Sequence, residues 1–172
     1  MEPDRIATSM GSSQGTKKMR RLLIMSLFAA LAGSAAQAQV NTADLKWGAA
    51  PPGLPPGAQL AVLSGDPGKE GMFTIRLKFP ASYTVAPHHH PTDELVTVVD
   101  GQMSIGMGEM LDKAKAATLN GAGYVALPAN MNHFAFTDGG ATIQITSHGP
   151  FQITYVNPAD DPRAAKAAEK GR

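Results

Sequence analysis

Three of the five histidines stand together in Pro87-His88-His89-His90-Pro91-Thr92-Asp93-Glu94, with a glutamate four residues after the last of them. Imidazole nitrogen and carboxylate oxygen are ligands for divalent first-row metals. In extended backbone, successive side chains alternate faces, so His88 and His90 point one way and His89 points the other. The turn at Pro91-Thr92-Asp93 lets Glu94 re-enter at the start of the next strand. His88, His90 and Glu94 then make most of a metal site, and the rest of the chain must supply a further ligand and a cavity.

The surrounding sequence is a series of short β-rich runs broken by Gly, Pro, Asp and Asn. Residues 59–63, 72–79, 83–86, 95–99, 102–107, 123–127, 133–137, 141–146 and 151–156 read as strands. Asp100-Gly101 has the composition of a hairpin turn, and Met103, Ile105 and Met107 alternate onto one face of the run after it. Residues 109–117 read as a short helix or a loop with one helical turn. About nine strands with close turns and almost no helix predict an all-β sandwich or barrel.

Before these strands lies a proline-rich arm, residues 39–57, with four prolines between 51 and 56. That density forbids helix and favours an extended polyproline conformation, with Trp47 expected to anchor it. The barrel is expected over residues 58–158 and a charged, alanine-rich tail over 159–172. Residues 1–38 read as a secretory signal peptide. A basic cluster at 17–21 precedes an apolar run at 22–32, and Ala36-Gln37-Ala38 has the small-x-small form of a cleavage site. Met19 is the natural start for such a signal. The apolar run falls well short of the ~20 residues that a spanning helix needs. The expected location is therefore the periplasm or the exterior, with no stable membrane insertion once the signal is removed.

Without its first 38 residues the chain keeps 134, enough for one domain with a real core. The whole chain is formally +1, but the leader holds five basic and two acidic residues, so the remainder is −2. There is no basic stripe or aromatic ladder, so a nucleic-acid partner is not expected. With no cysteine in the sequence, a disulfide framework, thiolate ligands and a cysteine nucleophile are all excluded.

Two segments resemble the motifs of the cupin superfamily. His88-x-His90-x3-Glu94-x6-Gly101 matches the first in ligand and glycine spacing, and Pro128-x-Asn130-x2-His133 matches the second. The likeness spans about residues 75–150. It implies an all-β cupin-type jelly-roll barrel holding one divalent transition metal through His88, His90, Glu94 and His133. Iron, manganese, nickel, copper and zinc all accept such a set. The sequence departs from the family pattern at four places. Ser82 stands six residues before His88, where a glycine is usual, and Asn130 replaces the glycine of the Pro-x-Gly turn. Gly123 is one residue nearer Pro128 than the usual spacing, and Thr137 replaces a frequent asparagine. None of these removes a ligand, and asparagine adopts the left-handed conformation that glycine would.

A cavity of this kind implies a small-molecule substrate or ligand. Tyr83, Met103, Gln144 and His148 are candidates for its lining, and Met107, Met110 and Met131 for further soft wall. No side chain stands out as a general base, which suits metal-centred chemistry such as dioxygenase-like oxidation. The alternatives are a non-catalytic protein that binds or senses a small ligand or metal, and an oligomer that the metal only braces. Cupin barrels commonly pair through an extra N-terminal strand, so residues 39–63 offer a route to a homodimer.

Overall fold

The computed structural model describes residues 39–164. The expected signal peptide and most of the expected tail lie outside the described residues. Ten strands follow in order: β1 (Gly48–Ala49), β2 (Gln59–Ser64), β3 (Gly71–Phe79), β4 (Tyr83–His89), β5 (Glu94–Met107), β6 (Ala117–Asn120), β7 (Tyr124–Leu127), β8 (His133–Thr137), β9 (Ala141–Gly149) and β10 (Thr154–Tyr155). All pair antiparallel, in the order β1-β2-β3-β9-β5-β8-β4-β10, with β6 and β7 also against β5. This is the expected all-β jelly-roll barrel.

Alternating apolar residues build its interior. Phe73, Ile75, Leu77 and Phe79 on β3 face inward beside Ile143 and Ile145 on β9 and Val96 and Val98 on β5. Burying side chains of this size contributes on the order of 2 kcal/mol each before the entropy of ordering is charged against it.

Strand β5 departs from the sequence reading. Asp100-Gly101 is not a hairpin turn, because β5 runs unbroken for 14 residues. Its first half pairs with β7 and β9 and its second half with β6 and β8. A register shift between Val98 and Asp100 and a left-handed Gly101 (φ 75°) bend the strand from one sheet into the other. A side chain at Gly101 would collide with the Gly140 carbonyl. Asp-Gly supplies the same left-handed conformation in a bulge as in a turn, and the partner strands decide which forms.

Residues 109–117 hold one 3-10 turn, Lys113–Lys115, capped by the Asp112 side chain. Lys113 Nζ sits 4.4 Å above the Phe136 ring. Met107 is exposed, as are Met110 and Met131, so these three do not form cavity wall. β6 stops opposing β5 at Ile105, which leaves Met107 at a strand end with a neighbour on one side only.

The only non-glycine residues with left-handed backbone among the described residues are Ser82 (φ 57°), Ala122 (φ 68°) and Asn130 (φ 62°). Ser82 and Asn130 stand at positions where the cupin pattern has glycine and this chain has another residue. Ala122 lies six residues before Pro128, at the pattern's usual spacing, so it takes the turn conformation in place of Gly123. Gly123 is needed for another reason: a side chain there would press on the Asn120 carbonyl at 2.8 Å.

The proline-rich arm is folded onto the barrel. Gly48 and Ala49 pair with β2, and a turn closes from the Leu54 amide to the Pro51 carbonyl at 3.0 Å. The Tyr83 hydroxyl donates to the Pro55 carbonyl and the Tyr155 hydroxyl to that of Gly53. Trp47 is half-buried, and these bonds are the described anchors. No helix among the described residues is long and apolar enough to cross a membrane.

Candidate metal centre

His88 lies near the end of β4, His90 just beyond it, Glu94 at the first position of β5 and His133 at the first position of β8. A fault in β4 aims the histidines. Counting in twos from Tyr83 and Val85 would send Pro87 and His89 inward. Between Val85 and His88, however, β4 spends three residues where β8 spends two, from Ala135 to His133. This bulge resets the phase, so that His88 and His90 face the interior with Val85. His89 points away, and its Nδ1–H donates to Asn132 Oδ1 at 3.1 Å.

The three inward imidazoles are buried, and each offers one ring nitrogen within 4.8 Å of the other two. Their tautomers are fixed by backbone carbonyls. Nδ1–H of His88 donates to Ala86 at 2.7 Å, that of His133 to Met131 at 2.9 Å, and that of His90 to Gln152 at 2.6 Å. In each ring Nε2 is therefore left to accept, the arrangement that raises ligand basicity and orients the ring. The Phe151 ring stacks on His90 with centroids 4.3 Å apart and planes 15° from parallel.

Glu94 completes the group, with Oε2 3.5 Å from His90 Nε2 and 3.3 Å from His133 Nε2. Burial raises its pKa, but the surrounding imidazoles, His133 first, outweigh burial, and the net shift is downward. Burial pulls His88 down to about 3, with smaller contributions from His133 and His90. Burial also lowers His90. Three buried imidazoles beside a carboxylate make a donor set that fits a divalent metal, and in apolar surroundings an unpartnered carboxylate would be costly.

The cavity measures about 120 Å³. Its walls are Ile75, Leu77, Phe79, Met103, Ile143 and Ile145 with their neighbours, and Pro51, Gly53 and Leu54 of the arm, with Phe151 and Ile153, complete the lining. Of the four further candidates, Met103 lines it and the other three do not. Tyr83 is buried, but its hydroxyl is spent on the arm. Gln144 alternates outward between Ile143 and Ile145 and accepts from Arg76 Nε at 3.3 Å. His148 is exposed at the end of β9. The sequence reading missed Phe151 and the Gln152 carbonyl. The only local cue was an apolar-polar alternation in residues 151–153, with nothing to say which histidine it meets.

A family profile described as a domain of unknown function, DUF4437, matches residues 35–154. Over 64 residues the chain is 38% identical to a germin-like protein of Oryza sativa subsp. japonica. That match covers 37% of this chain and 30% of the rice protein's own length. The polyketide cyclase RemF of Streptomyces resistomycificus is similar at TM-score 0.57 and 16% identity, over 72% of this chain and 88% of that one. A candidate acetylacetone dioxygenase of Methylibium petroleiphilum gives 0.55 and 21%, over 72% and 83%. An RmlC-like cupin of Shewanella frigidimarina gives 0.50 and 13%, over 63% and 87%. At these identities the likeness is one of fold.

Proposed function

The chain belongs to the DUF4437 family and has the cupin fold, and from that premise we propose that it is an exported metal-dependent protein acting on a small organic molecule, with metal-centred oxidation of the dioxygenase kind as the leading reaction. The observation that carries this reading is the convergence of His88, His90, His133 and Glu94 inside one apolar cavity. His88, His90, Glu94 and His133 would hold a divalent metal there, which would supply a Lewis-acidic centre. The chain's own contribution is threefold. Three backbone carbonyls hold each Nδ1–H and so present Nε2. Glu94 brings the one negative charge, and the hydrocarbon walls exclude bulk water from whatever is bound. The candidate dioxygenase and the polyketide cyclase share this fold and support small-molecule chemistry as the class.

A second reading is supported by the same lining. Among the described residues no polar side chain other than the four ligands lines the cavity, and none stands as a separate acid or base there, as a non-catalytic binder of a small ligand or metal would have it. Elemental analysis of protein purified from its native compartment tests the common premise. The wild type should carry close to stoichiometric metal, and a variant with His88, His90 and Glu94 changed to alanine should lose nearly all of it. Stray metal alone in the wild type overturns the proposal. Turnover by the loaded protein across a substrate panel then separates enzyme from binder.

A further inference from the structure

The lining of the cavity restricts what can enter it. Apart from His88, His90, Glu94 and His133, every lining side chain is hydrocarbon or the thioether of Met103. Nearby polar side chains that might have reached a ligand are engaged elsewhere. The Tyr83 and Tyr155 hydroxyls hold the arm, and Ser147 Oγ donates to the Asp93 carbonyl at 2.6 Å. Thr137 Oγ1 is buried without a partner, but Thr137 is not among the lining residues. Among the described residues no lysine or arginine lines the cavity.

Charge narrows the choice further. Three neutral imidazoles and one carboxylate around a divalent ion leave a single positive charge in surroundings of low polarity. A ligand carrying one negative charge cancels it. A second charge, or a row of hydroxyls, would be buried against hydrocarbon with no partner, and uncompensated polar burial is strongly unfavourable. A cavity of about 120 Å³ limits the guest to a small molecule.

From the lining and its charge, and resting on the metal reading above, we infer that the site takes a small monoanionic amphiphile. Its single oxygen-anion head, a carboxylate or an enolate, meets the metal, and its apolar body lies against Leu77, Ile143, Ile145 and Leu54. Sugars, dicarboxylates and phosphates are excluded.

The test uses the full chain loaded with cobalt(II), with loading verified by elemental analysis. Hexanoate, propionylacetone, hexanol, adipate and gluconate are titrated in turn, followed by the cobalt visible bands and by calorimetry. Hexanoate or propionylacetone should shift the bands and bind at least about tenfold tighter than hexanol, adipate or gluconate, a margin of about 1.4 kcal/mol. Whichever of the two binds tighter assigns the head as carboxylate or enolate. Adipate or gluconate binding as tightly as hexanoate overturns the inference. So does failure of both monoanions to bind while cobalt is present. A chain that takes up no cobalt overturns the metal reading itself, and this inference with it.

Discussion

His88 and His133 face each other across β4 and β8, and each donates its Nδ1–H to the carbonyl two residues earlier in its own chain segment, Ala86 and Met131. His90 is held quite differently. Its Nδ1–H reaches Gln152, 62 residues away, and its ring is covered by Phe151. Its own carbonyl accepts from the Asn130 amide at 2.7 Å, which ties it to the turn before His133. Two ligands are thus preset by local backbone, and the third is set by the distant segment at 151–153. The ligand set depends on long-range closure mainly through His90.

The largest expected effect is one in which the two kinds of ligand behave alike. In the metal-free protein His88 has a pKa of about 3, against about 6.5 in an unfolded chain. Between those values the unfolded state binds a proton that the folded state does not, so stability falls as pH falls through the window. The slope for His88 is about 1.4 kcal/mol per pH unit, and His90 adds to it in the same direction. Urea unfolding of the stripped protein at several pH values between neutrality and about pH 4 measures this. A flat profile would mean that these rings are charged in the fold and that their bonds to Ala86 and Gln152 do not keep Nε2 free.

Phe151→Ala separates the two kinds. It removes the ring over His90 and a contact with Phe73, whose ring is 5.2 Å away. We expect a stability loss of about 2–3 kcal/mol, since Phe151 is only half-buried, and metal affinity weaker by about tenfold. Gln152→Ala should leave metal affinity unchanged, because the contact is made by its backbone carbonyl. A competitive chelator titration reads both, and equal losses in the two variants would dissolve the distinction between His90 and its partners.

The smallest effect lies away from both. Ala122 has φ 68°, a conformation that costs an L-residue about 1 kcal/mol and glycine almost nothing. Ala122→Gly should therefore raise stability by up to about 1 kcal/mol in thermal unfolding, with metal affinity unmoved. A change in metal affinity there would show that the turn before β7 also positions the ligands.

Much of this was legible in residue types and spacing. The alternation of Phe73, Ile75, Leu77 and Phe79 announces a strand with one buried face, because side-chain direction in extended backbone is a local property. The grouping of His88, His90, Glu94 and His133 follows from the same periodicity together with family spacing. Met103, a candidate for its soft apolar side chain, lines the cavity; Gln144, a candidate for its polar group, does not, since its apolar neighbours on both sides take the inward positions.

What the sequence by itself determined was a set of donors, a β-rich barrel and a turn at Asn130 able to bear left-handed backbone. Tertiary structure alone decided the phase and the closure. The extra residue between Val85 and His88 turns His88 and His90 inward only because β8 lies alongside with one residue fewer. Gly101 bends β5 between sheets, where it might have ended a hairpin, because β8 and β9 are there to pair with its two halves. Tyr83 is withheld from the cavity because the arm presents the Pro55 carbonyl. In each case the local chain permits two outcomes, and backbone hydrogen bonds to distant segments select one, since a buried polar group must find its partner wherever the fold provides it.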